Sequence, residues 1–229
     1  MATRAENMEE RRRPLSRERV LRAAIELADA GGIQALSMRR LAQELGVEAM
    51  SLYHHVANKG DILDGIVDMV VGEIELPSAD AEWKAAIRTT AISAHEILVR
   101  HPWAANLVLS GSGLSMARLR YMESILGSLR RAGFSPEMTD HAYHALDSHI
   151  MGFTLWQVGM NLGTEDDLKA MAGEFLAQLS VEEFPYLAEH IEQHLAPARP
   201  DDVGEFEFGL GLILDGLERL LPAKAAADR

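Results

Sequence analysis

Met38-Arg39-Arg40-Leu41-Ala42-Gln43-Glu44-Leu45-Gly46-Val47-Glu48-Ala49-Met50-Ser51-Leu52-Tyr53-His54-His55-Val56 reads as two short helices hinged at a glycine. Leu41, Leu45, Val47, Leu52 and Val56 close a miniature core, small Ala42 lets the helices cross, and Gly46 supplies the turn. With those positions turned inward, Ala49, Met50, Ser51, Tyr53, His54 and His55 are left on the outside of the second helix, expected over Glu48 to His55. A short helix that offers small and hydrogen-bonding side chains from its N-terminal part suits a DNA major groove.

The flanks repeat the construction. Ser16 is an N-cap, Leu15 before it can staple onto Val20, and Val20, Ala23, Ala24, Leu27 and Ala28 form an inner stripe that Gly31-Gly32 ends. Ser37 caps the next helix, and Asn58 caps a third start, with Asp61 favouring the helix dipole in its first turn. From Asp61 the spacing of Ile62, Leu63, Ile66, Met69 and Val70 predicts a long helix that stops before Leu76-Pro77-Ser78. Later helices are expected at 81–100, 102–110, 114–132, 136–161, 166–178, 181–195 and 202–221, punctuated by Pro102, Gly133, Pro136, Gly163, Pro197 and Pro200. No stretch alternates with period two over a strand's length, so the expected class is all-α. The divisions are a loose arm over 1–13, a three-helix helix-turn-helix domain over 14–60, a larger helical domain over 61–222, and a frayed tail over 223–229.

With 48% hydrophobic and 25% charged residues, the 229-residue chain can bury a core. The absence of cysteine excludes a disulfide framework and a thiolate zinc site and fits a reducing cytoplasm. The polar first thirteen residues do not read as a secretory signal, and no later run is apolar enough to span a bilayer, so no membrane partner is expected. A net charge of −13 speaks against a nucleic-acid binder until it is divided: residues 1–60 carry +2 and residues 61–229 carry −15. The acidic bulk is repelled by DNA while the head is not, which orients the molecule.

Leu52-Tyr53-His54-His55-Val56 followed by Asn58-Lys59-Gly60-Asp61-Ile62-Leu63, within a run that starts at Leu15, closely resembles the DNA-binding domain of the TetR family. Many members carry Phe where this chain has Val56, although the tetracycline repressors themselves carry Val. The resemblance implies that Arg39, Tyr53, His55 and Lys59 contact DNA. Together with the outward positions, the candidate DNA-binding set is Ser37, Arg39, Ala49, Met50, Ser51, Tyr53, His54, His55 and Lys59. Tyr53 and Lys59 suit phosphates, and Arg39 suits either a guanine edge or a phosphate. Ala49 and Met50 suit a thymine methyl, and Ser51, His54 and His55 suit hydrogen bonds. Arg11, Arg12, Arg13 and Arg17 read either as a minor-groove arm or as a solvated tail.

The segment Phe206 to Leu217 looks like the last helix of the tetracycline-repressor-like branch. That likeness implies a homodimer formed by this helix and the one over 141–159, with Tyr143, Ile150, Phe206, Leu210, Ile213, Leu214 and Leu217 at the interface; the other reading is an intramolecular core. Gly204, Gly209, Gly211 and Gly216, each costing about 1 kcal/mol against alanine inside a helix, suggest close helix approach. Trp103, Leu107, Met116, Met122, Phe153, Trp156 and Met160 line an effector cavity or belong to plain core, with His149 or Gln157 as a polar anchor. The tetracycline repressors hold a metal–tetracycline complex, but their metal-ligand motif has no position-by-position match here, and neither metal nor cofactor is expected.

The function expected is a ligand-responsive regulator and not an enzyme: a homodimeric repressor on double-stranded, palindromic operator DNA, released by a small hydrophobic effector. The rival is a metal-binding or enzymatic helical bundle using His141, His144, Asp147 and His149, for which no nucleophile elbow, phosphate loop or zinc-protease pattern is present. A TetR-type activator with the same head is the remaining alternative.

Overall fold

The computed structural model describes residues 14–110, 115–160, 165–195 and 203–221. Over them the chain is all-helical, with eleven α-helices, one short 3-10 turn at Ile33–Ala35, and no strand among the described residues. The helices are α1 (Arg17–Gly31), α2 (Met38–Leu45), α3 (Ala49–Leu52), α4 (Lys59–Gly72), α5 (Trp83–Arg100), α6 (Pro102–Ser110), α7 (Met116–Ala132), α8 (Pro136–Met160), α9 (Glu165–Gln178), α10 (Pro185–Leu195) and α11 (Glu205–Leu220). The 1–13 arm and the 223–229 tail lie outside the described residues.

Side-chain caps fix the starts. Ser16 Oγ accepts from the Arg19 amide at 3.2 Å, Ser37 Oγ from Arg40 at 3.2 Å, and Asn58 Oδ1 from Asp61 at 3.0 Å. Each such cap stabilises by about 1 kcal/mol. The helix expected from 181 begins instead at Pro185. The Glu183 and Phe184 amides bond back to the Ser180 carbonyl, and proline is pre-organised for a first helical position.

In the head, Leu36, Leu41, Leu52, Ile62 and Ile66 are fully buried between α1, α2, α3 and α4. A Cβ on Gly65 would lie 2.7 Å from Leu21 Cδ2, so the Leu21 side chain of α1 packs directly onto the α4 backbone there. The core continues into the body, where α5, α6, α7 and α11 pack around the 25-residue α8 over Leu98, Leu129, Leu146, Ile150, Leu210 and Leu214.

Polar ties knit these elements. His95 of α5 shares a 2.8 Å hydrogen bond with Thr154 of α8 and stacks on Phe206 of α11 at 4.0 Å. His149 Nε2 reaches the Phe206 carbonyl at 2.9 Å. Burial pushes the His95 imidazole below its ordinary value, which favours the neutral ring. A Cβ on Gly209 would sit 2.6 Å from His149 Cε1, so this glycine is a true close approach. Gly211 and Gly216 meet no such obstacle, and Gly204 precedes the helix as its N-cap residue, so the four-glycine expectation reduces to one.

Two further ties join head and body. Asp29, near the end of α1, accepts from His101 Nδ1 at 2.8 Å and Trp103 Nε1 at 2.7 Å. Asp68 of α4 accepts from the Ala117 amide at the start of α7, at 2.8 Å. Helix α4 is therefore shared, packing on α1 and on α7.

Candidate nucleic-acid interface

Gly46 stops α2 in the left-handed region, with φ 67° and ψ 33°. The Val47 amide returns to the Ala42 carbonyl at 3.0 Å. The following α3 is a single turn of four residues, Ala49–Leu52. Tyr53 and His54 then bond back to the carbonyls of Met50 and Ser51, three residues earlier. The reading element is thus shorter and tighter than the Glu48 to His55 helix expected. The turn closes at Val56, whose amide bonds the Leu52 carbonyl at 3.0 Å, and the chain then extends at Asn58 to cap α4.

Within this turn the burial alternates sharply. Leu52 is 0% exposed, while Met50 is 71% and Tyr53 47% exposed. Ser37, Arg39, Ala49, His54 and Lys59 are also exposed, and Ser51 and His55 are half-buried. Ser37 Oγ is engaged as a cap. Arg40, which the motif reading passed over, is exposed beside Arg39.

The corner between α3 and α4 is braced by charge. Arg17 forks onto Asp61 at 2.8 and 2.6 Å and reaches the His55 carbonyl at 3.5 Å. Asp61 also accepts from the Ala57 amide at 2.8 Å. The Arg17 guanidinium and then the Ala57 N–H hold the Asp61 carboxyl at about 2. Arg17 is therefore a brace, not part of a free arm, and Arg11, Arg12 and Arg13 lie outside the described residues.

Of the proposed effector residues, His149, Phe153 and Trp156 come together, with ring centroids 5.9 and 5.4 Å apart along the series. Trp103 is buried and engaged with Asp29, and His149 is engaged with Phe206. Leu107, Met122 and Phe153 pack against the core, Met116, Trp156 and Gln157 are exposed, and the Met160 side chain lies outside the described residues. A cavity lies elsewhere, between the end of α4 and helices α5 to α8, with a volume of about 430 Å³ counting its open mouth. Its walls are Val71, Ile74, Ala94, Leu98, Val108, Leu109 and Met151, and its polar groups are Arg118, Tyr121, Tyr143 and Asp147.

Of the expected dimer positions, Tyr143, Ile150, Phe206, Leu210, Leu214 and Leu217 are buried within this chain and Ile213 is half-buried. The faces of α8 and α11 turned to solvent carry Trp156, Phe208 and Leu212, at 50%, 63% and 61% exposure. The histidines of α8 disperse: His144 lies 3.5 Å from Asp140 on the surface, His149 turns to Phe206, and Asp147 faces the cavity. Among the described residues no three His, Asp or Glu side chains come together as metal ligands.

Residues 20–66 match the family model described as bacterial regulatory proteins of the tetR family, and residues 76–221 match the tetracyclin repressor-like C-terminal domain. The chain belongs to the TetR family. It is 33% identical over 216 residues to the HTH-type transcriptional repressor DrrR1 of Streptomyces coeruleorubidus, which covers 90% of this chain and 78% of that one. Its structure is similar to that of ActR from Streptomyces coelicolor in complex with (S)-DNPA, with a TM-score of 0.71, 28% identity, and 90% and 98% of the two chains covered. It is similar also to BioQ with its double-stranded DNA operator, with a TM-score of 0.63, 25% identity, and 90% and 99% covered. As a TetR protein it is a transcriptional regulator and not an enzyme. No helix among its described residues is long and apolar enough to cross a membrane.

Proposed function

We propose that this TetR protein is a cytoplasmic homodimeric repressor that leaves a palindromic operator when a small, largely apolar effector enters its body. The single observation that supports this best is the alternation at the reading turn, where Leu52 anchors the core and Met50 and Tyr53 beside it are left to solvent. Arg39, Arg40 and Lys59 make no ion pair among the described residues, which leaves three cations for phosphates. On this reading residues 14–60 form the DNA-binding unit and 61–222 the effector and dimer unit, with α4 as the shared element.

Two copies joined through the outward faces of α8 and α11 would place their reading turns in successive major grooves about 34 Å apart. Trp156, Phe208 and Leu212 supply the apolar surface, so the interface is carried by the expected helices through positions neighbouring most of those expected. The related ActR bound to a small molecule and BioQ bound to its operator support the two halves of the scheme.

Val71, at the end of α4, and Ile74, just past it, form part of the cavity wall. A ligand seated there acts on the helix that carries Lys59 at its other end. To release DNA it must prefer the wrongly spaced dimer, and a hundredfold preference corresponds to about 2.7 kcal/mol. A gel shift with the DNA upstream of the protein's own reading frame tests the scheme. A shift at low salt is expected, and no shift at low salt contradicts the proposal.

A further inference from the structure

The cavity is apolar except at one end, where Arg118 and Tyr121 of α7 meet Tyr143 and Asp147 of α8. Tyr121 is 5% exposed, and its hydroxyl has no hydrogen-bond partner. A buried, unpartnered hydroxyl is costly to keep, and it needs a reason. Arg118 directs one N–H to the Val108 carbonyl at 2.6 Å and forms no ion pair with Asp147. Asp147 accepts no hydrogen bond among the described residues, and burial raises its carboxyl while Arg118 opposes that rise. An acid and a base thus face one cavity without touching each other.

That arrangement has a chemical complement. The two opposite charges balance, so an anionic ligand meets Asp147 and a cationic one meets Arg118. A neutral ligand with one donor and one acceptor close together can satisfy both groups. We propose that the effector is a neutral, mainly apolar molecule whose hydroxyl donates to the Asp147 carboxylate and whose carbonyl oxygen accepts from the Tyr121 hydroxyl and Arg118. Burial raises the Tyr121 phenol, which keeps its proton available as that donor. Leu98 and Met151 supply the apolar walls of a cavity that opens to solvent. The inference rests on the effector-release reading above and names the chemistry of that site.

Calorimetric titration of the full-length protein with three matched probes tests it: 4-hydroxy-2-acetylnaphthalene, which carries donor and acceptor on one ring, 2-acetylnaphthalene, which lacks the donor, and 1-naphthol, which lacks the acceptor. The hydroxyketone should bind about tenfold more tightly than either. Tyr121→Phe should abolish its advantage over 1-naphthol and leave 1-naphthol binding unchanged, with a melting temperature equal to or above that of the parent because an unsatisfied hydroxyl has been removed. Equal affinities for the three probes, no binding of any, tighter binding of anionic 4-hydroxy-2-naphthoic acid, or a Tyr121→Phe protein that melts lower with the same probe preference would each overturn the proposal. The probe-free gel shift is independent of these titrations, so the ligand chemistry and the regulator reading can fail separately.

Discussion

The head and the body are both helical and both amphipathic, yet they hide their functional residues differently. In the head, the partners of each buried residue lie within a few dozen positions: Leu41, Leu45, Leu52 and Val56 pack on one another and on α1 and α4. What remains outside the turn is the exposed set proposed to bind DNA. In the body, α8 is buried on one side by α5, on another by α7 and on a third by α11, and it borders the cavity as well. Side chains one turn apart on α8, Tyr143 and Asp147, share a cavity end that exists only because α7 lies alongside. Local burial makes a binding face readable; a binding cavity is set by helices distant in sequence.

The sharpest way to break this comparison uses two neighbouring residues. Leu52→Ala should cost about 2–5 kcal/mol of stability, and Tyr53→Ala should change it by no more than about 0.5 kcal/mol while weakening DNA binding. Chemical denaturation of both variants checks this, and similar losses would mean that the turn has no distinct outer face. In the body, Gly209→Ala forces a methyl into His149 and should cost about 1–3 kcal/mol, whereas Gly216→Ala, which meets open space, should stabilise a single chain by up to about 1 kcal/mol. A loss at Gly216 that depends on protein concentration would place that face in the dimer.

Smaller effects separate the two regions by pH. Asp61 is lowered from 3.8 to about 2, so its contribution is present above pH 3.8 and is lost as pH falls toward 2. Asp61→Asn should cost about 1 kcal/mol at neutral pH and flatten the melting-temperature profile in that acid window. His95 is lowered from 6.5 by burial, so the unfolded chain takes up its proton first. Stability should therefore be complete above pH 6.5 and decline as pH falls below it, a decline that His95→Gln should reduce when melting is followed by circular dichroism.

The two regions were legible to different depths for the same reason. Helix order and most breaks followed from periodicity and from caps such as Ser16, Ser37 and Asn58, which act within a single turn. The exposed set around Tyr53 followed from the motif. The α3 boundary did not, because Tyr53, His54 and His55 close three-residue turns ahead of the extended cap at Asn58. Gly65 gave no pattern of its own, since its meaning lies in Leu21 on another helix. In α11 the expected contacts Phe206, Leu210 and Leu214 share one apolar stripe, and only packing shows that this stripe faces α5 and α8 while Phe208 and Leu212 face outward. Arg118 and Tyr121 carried no sequence signal, because a lone arginine and a lone tyrosine on an amphipathic helix look like surface and core.

Fluorescence anisotropy with upstream operator DNA, measured over a salt series for the parent and for Lys59→Gln, tests the central claim about the head most directly. Parent affinity should fall steeply and linearly with the logarithm of salt concentration, and Lys59→Gln should reduce that slope by about one unit without altering the melting temperature. A parent that ignores salt, or a Lys59→Gln slope identical to that of the parent, would contradict the account.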